Sequence, residues 1–162
     1  MATSDQHFLH LVAATDFPQR YYTLCQRFPF GHFTPIPCDK KDVTRILAEI
    51  GRTARWDSRD RSYSFAVFLN GWVGGPGFRI LHRSTVEFWF HASRAAESQG
   101  DSYARLANYA TKLSTPEKIL SPPFPTPNFT SHNDLKDILV ACFDLTDILI
   151  PLLERFPNST NA

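Results

Sequence analysis

The chain has 162 residues, 43% of them hydrophobic and 20% charged, with a formal net charge of +1. That length suits one domain, and that composition suits a globular one with a sizeable core. The small net charge excludes a strong global pull towards nucleic acid or anionic lipid. The expectation is one domain over residues 1–162, with short disordered ends at 1–5 and 157–162.

In chain order, His7 to Ala13, in which Phe8 alternates with His7 and Leu9 and Leu11-Val12 is apolar on both faces of an extended chain, predicts a first strand. Asp16 stands three before Gln19 with Pro18 between them, a capping-box spacing that opens a helix to about Arg27. Tyr21, Leu24, Cys25 and Phe28 form its apolar stripe. Thr34-Pro35-Ile36-Pro37 must be extended, because proline cannot sit inside a helix. A second helix follows. Asp39 caps it, Val43, Ile46, Leu47 and Ile50 recur at helical spacing, and Gly51 closes it. Arg52 to Arg61 is a polar bridge of alternating charges around Trp56.

Ser62 to Ser98 holds the strongest strand signals. Phe65 to Asn70 is apolar on both faces and predicts a central strand. Gly74-Gly75-Pro76-Gly77 predicts a hairpin turn. It is not a phosphate loop, since strand signal follows it and no GK[ST] or GxGxxG is present. Phe78 to His82 and Val86 to His91 complete a three-stranded meander. In the last strand Val86, Phe88 and Phe90 face the core, while Glu87, Trp89 and His91 face the other way. Ala92 to Ser98 loses the alternation and predicts a helix. Gly100-Asp101 breaks and caps another, from Ser102 to about Leu113. Ser121 to Asn128 carries four prolines and predicts an extended strap pinned by Phe124 and Phe129.

The last helix opens at Ser131 and Asp134 and runs through Leu135, Ile138, Leu139, Cys142, Leu145, Leu149, Leu152 and Phe156. It is apolar almost all round, so it is either central or half of an interface. Pro151 forces a kink or restart near Ile150. The fold class is therefore α+β. An antiparallel sheet of about four strands carries helices on one face, in the order β-α-α-β-β-β-α-α-α. The opening order resembles the first half of the GNAT acetyltransferase fold over about Phe8 to Ser98. That family's pyrophosphate loop falls at His91-Ala92-Ser93-Arg94-Ala95-Ala96, which has no glycine, and the chain is not assigned to it.

Three widely spaced cysteines (Cys25, Cys38, Cys142) make no disulfide framework and no CxxC pair. The six histidines show no metal-ligand spacing, so neither a metal nor a cofactor is expected. No signal peptide or membrane span is read, and the expected location is intracellular, in the cytoplasm. The leading functional expectation is a non-enzymatic protein–protein interaction module. Its partner is another protein or itself, as a homodimer through the apolar helix over Leu135 to Phe156. The alternative is a small-molecule binder or enzyme with an aromatic pocket of Trp72, His82, Glu87, Trp89 and His91. Third is nucleic-acid or phosphate binding. Between Lys40 and Arg83 nine cations face four acids, and Arg52, Arg55, Arg59, Arg61, Arg79 and Arg83 interleave with aromatics.

Overall fold

The computed structural model describes residues 3–31 and 34–156, with the side chains of residues 3–5 left out. The expected disordered tail at 157–162 lies outside the described residues, as does His32; the backbone of residues 3–5 belongs to the first helix. Five α-helices and six strands make an α+β fold. Its elements are α1 (Thr3–Ala13), α2 (Phe17–Arg27), α3 (Lys40–Glu49), β1 (Arg55–Asp57), β2 (Ser62–Ser64), β3 (Val67–Leu69), β4 (Trp72–Leu81), β5 (Thr85–Arg94), β6 (Glu97–Ser102), α4 (Tyr103–Ser114) and α5 (His132–Leu149). A 3-10 helix, Ile150–Arg155, follows α5.

The sheet is an antiparallel meander. β1 pairs β2, β4 pairs β5 and β5 pairs β6, while β2 and β3 share the other edge of β4. β2 and β3 thus act as one strand interrupted at Phe65 and Ala66. There Phe65 N–H donates to the Pro76 carbonyl at 3.0 Å. This break explains why proline is tolerated inside β4. Pro76 has no N–H to give, and it falls opposite the interruption, where its carbonyl still accepts from Phe65.

The aromatic residues on one face of the meander build the core. Trp56, Tyr63, Phe78 and Phe88 step across four strands with ring centroids 4.7, 4.9 and 5.6 Å apart. The helices meet this face. Tyr103 of α4 and Phe143 of α5 lie 5.0 and 5.4 Å from Phe88, and Phe8 of α1 lies 6.3 Å from Phe90. Tyr103 is fully buried and bonds Thr146 Oγ1 at 2.5 Å. Thr146 donates onward to the Cys142 carbonyl, so Tyr103 is the donor in that pair. The proline-rich segment is a strap. It accepts from Tyr21 at Pro125 and from Asn108 at Pro123, and it pairs with the start of β5 through Pro127 and Phe129. Phe129 is buried beneath it, whereas Phe124 stays exposed, edge-on to Tyr109.

Several expectations are corrected. His7 to Ala13 is helix, not strand: Phe8, Leu9 and Val12 are buried and share one helical face. Asp16 forms no capping box; Thr15 Oγ1 accepts from Phe17 N–H instead. Arg55–Asp57 of the polar bridge is strand β1. The GGPG run is the middle of β4, and the true turns are Asn70-Gly71, His82-Arg83 and Ala95-Ala96. Ala92 to Ser98 continues β5, turns and enters β6, because cross-strand pairing outweighs the local helix preference of Ala and Glu. Among the described residues the strands number six rather than about four, and the order is α-α-α-β-β-β-β-β-β-α-α.

The remaining helices follow the sequence. Asp39 caps α3 and exchanges bonds with Asp42 in a full capping box, and Gly51 takes positive φ at its end. Ser131 caps α5, and the helix changes to 3-10 at Ile150 before Pro151. Leu135, Ile138, Leu139, Cys142, Leu145 and Leu149 are all buried in the chain's own core. No described helix is long and apolar enough to cross a membrane.

Candidate functional site

Alternation along the strands sends every second side chain away from the helices. One outward row runs Arg55, Ser64, Gly77, Trp89, Ser102 across five strands; the next runs Asp57, Ser62, Arg79, Glu87. In the row of the one indole, Ser64, Gly77 and Ser102 flank Trp89, so little side chain stands beside the ring along that row. Trp89 lies across Gly77. A methyl group built there would stand 2.6–2.7 Å from Trp89 Cε2, Cζ2 and Nε1, below any real contact distance. Beside it Arg79 Nε donates to Glu87 Oε2 at 2.5 Å, and His91 Nε2 lies 2.7 Å from Ser98 Oγ. At one end Phe68 and Val73 are directly opposed in β3 and β4, and they are 74% and 51% exposed. The ring contacts from α1, α4 and α5 to the sheet all fall on the opposite face.

The five residues expected to line one pocket are divided between three places. Glu87, Trp89 and His91 share the outward face. Trp72 points inward at 1% exposure, with Phe156 5.7 Å away edge-on and the Arg94 guanidinium 4.6 Å from its ring. His82 sits in the tight β4–β5 turn, where His82 and Arg83 take φ of 50° and 67°. His91 lies six residues up β5 from the turn-end pair Leu81–Thr85, which puts the two histidines about 20 Å apart along the strand.

The basic residues are dispersed in the same way. Arg55 and Arg79 face outward on the sheet, and Arg79 is paired with Glu87. Arg59 and Arg61 belong to the β1–β2 turn and Arg83 to the β4–β5 turn. Arg52 is drawn over the Phe143 ring at 4.4 Å, where it shields the core.

Phe68 and Val73 were hidden from sequence reasoning by register. Reading GGPG as a turn separated them, although Asn70-Gly71 is a strong hairpin signal that pairs them directly. A second feature is Gln99 on β6. It is buried, and neither amide atom has a protein partner. It lines a cleft of about 90 Å³ with Phe8, Leu9, Asp101, Leu106 and Tyr109. That volume has room for water, a fitting partner for the unpaired amide.

Fold and site together define a two-layer α+β protein that leaves one face of its antiparallel meander uncovered by the helices described. No family model, no curated protein and no solved structure matches the chain.

Proposed function

We propose that this chain is a non-enzymatic protein–protein interaction module that works through the uncovered face of its sheet. The observation that carries the reading is the exposed pair Phe68 and Val73 on the same face as Trp89. Large apolar side chains grouped on an open surface mark contact sites. The partner tested first is a second copy of the chain. The apolar positions of α5 are occupied within the chain, so self-association through this face replaces self-association through that helix. Opposite charges on the face, Arg55 and Arg79 with Asp57 and Glu87, let a second copy meet it without uniform repulsion. Five strands by six residues give a face of about 500 Å². That is below the roughly 800 Å² per partner of a stable complex, so weak, concentration-dependent pairing is expected. The three free cysteines suit a reducing, intracellular setting for this role.

Sedimentation velocity over a wide concentration range tests it. The wild type should move from monomer towards dimer, and Phe68→Asp should stay monomeric with unchanged circular dichroism. A wild type that remains monomeric at the highest concentration reached defeats the reading.

A second reading rests on Trp89 alone. An indole lying flat on glycine, with His91 and Glu87 beside it, supports stacking of a planar ligand. Tryptophan emission titrated with neutral oligosaccharides, and separately with single-stranded DNA at low salt, tests it. Emission unmoved by both removes this reading and the nucleic-acid one with it.

A further inference from the structure

The connector ahead of α3 and the start of α5 bring three chemically different donors together. Cys38 immediately precedes the cap Asp39, Asp42 lies in the first turn of α3, and His132 is the first residue of α5. All three are half-buried, and one donor atom from each lies within 4.8 Å of the other two. Among the described residues this is the one such grouping of three. His132 Nε2 stands 3.9 Å from Asp42 Oδ2 and 2.9 Å from the Pro37 carbonyl oxygen.

We propose that Cys38, Asp42 and His132 form a zinc-class divalent-cation site, with the Pro37 carbonyl oxygen or a water as fourth donor. Tetrahedral zinc with bonds of about 2.0–2.3 Å holds its donor atoms about 3.3–3.8 Å apart. The cluster therefore closes on a cation by shifts of an ångström or less. A mixed sulfur, nitrogen and carboxylate set suits zinc, whereas magnesium and calcium take oxygen donors.

The surroundings hold the donors in place. Asp42 Oδ2 accepts from the Asp39 N–H at 3.0 Å, which orients the carboxylate. The Arg45 guanidinium is the opposing charge, 3.4 Å from His132 Nδ1 and 4.0 Å from Asp42 Oδ1. Its Nη1 already bonds Glu49 at 2.7 Å, so it withdraws to a partner it has. Burial first, and then Asp42 and Asp39, push the Cys38 thiol up to about 11. That keeps it protonated at neutral pH, the opposite of what a nucleophile in a Cys-His-Asp arrangement needs. A cation reverses the balance. Thiolate, carboxylate and neutral imidazole neutralise a dication, and the thiol proton leaves to solvent. Bound there, the cation staples the Thr34–Cys38 connector to α3 and α5.

Cobalt(II) titrated into the chelator-treated full chain is the test. The expected result is a thiolate-to-cobalt charge-transfer band that saturates at one cobalt per chain and is displaced by zinc. Cys38→Ser should abolish the band. His132→Ala and Asp42→Asn should weaken binding by at least the roughly 10–100-fold that losing an outer partner costs. Cys25 and Cys142 are buried in the core and offer no substitute thiol. A wild-type chain with no charge-transfer band, or a band that survives Cys38→Ser, overturns the assignment.

Discussion

Gly77→Ala isolates the contact on which the open face is built. Gly77 needs no unusual backbone angle, so its substitution is purely steric, unlike Gly74 and Gly75 at φ of 147° and 144°. At those two an added Cβ collides with the carbonyl oxygens of His91 and Phe65, which cannot move without breaking the ladder. At Gly77 the three atoms nearest to it all belong to the Trp89 ring, at 2.6–2.7 Å. The ring must lift by close to 1 Å to restore an ordinary contact, and on a half-exposed surface it is free to do so. The cost expected is therefore the low end of the overpacking range, about 1–2 kcal/mol. With Trp89→Ala in place the collision is gone, and the intrinsic advantage of alanine over glycine in a strand, roughly 0.5–1 kcal/mol, remains. That preference acts in both backgrounds and cancels in the cycle, so the same substitution should be neutral to destabilising in the wild type and stabilising in the Trp89→Ala background, a coupling equal to the collision cost of about 1–2 kcal/mol. Urea unfolding of the four members of the cycle, at constant m-value, measures it. Equal effects of Gly77→Ala in both backgrounds, within about 0.5 kcal/mol, would refute the seating of Trp89 on Gly77.

Other substitutions follow from the same reasoning. Ser131→Ala removes the acceptor for the Asp134 N–H at the head of α5 and should cost about 1 kcal/mol, read from the urea midpoint. Leu139→Ala should cost about 2–5 kcal/mol at every protein concentration, because Leu139 is a core residue, while Val140→Lys, at a position 40% exposed, should stay within about 0.5 kcal/mol of wild type. A Leu139→Ala loss that vanishes on dilution would instead make α5 an interface. In the metal-free chain, native alkylation should label Cys38 alone, with a rate climbing towards pH 11, since burial pushes the Cys25 thiol up to about 12 and the Cys142 thiol well above its ordinary value; labelling of Cys25 or Cys142 before unfolding would contradict the packing. Bonds from the backbone of Asp42, then Lys41, hold the Asp39 carboxyl below its ordinary range, so its stabilisation is full above that range and fades as pH falls through it. Asp39→Asn keeps the cap but not the charge and should flatten the acid limb of a stability–pH curve; an unchanged limb rules Asp39 out as its source.

What the sequence made legible, and what it hid, divides along one physical line. Helices with both a cap and a 3.6-residue stripe were readable, as at Asp39 with Val43, Ile46 and Leu47, because both signals are local. The inward face Val86, Phe88, Phe90 was readable for the same reason. The errors fall where a distant partner decides. His7 to Ala13 is short and apolar enough to pass for a strand, and only Phe90 and Phe156 beside Phe8 select the helical face. Gly74 and Gly75 looked like turn residues, yet their glycines serve a close approach of neighbouring backbone within the sheet. The β5–β6 hairpin turns at Ala95-Ala96, where no glycine or asparagine marks it. The expected pocket failed by the same logic. Glu87, Trp89 and His91 hold one face through period-two alternation, which is local, whereas Trp72 was placed by a GGPG turn that does not exist and His82 lies in the β4–β5 turn itself, at the far end of the strand from His91. Cys38 and Asp42 stand four residues apart across a helix cap, and His132 arrives from another helix. No spacing rule could have joined them, so the case for a cation there rests on tertiary structure alone.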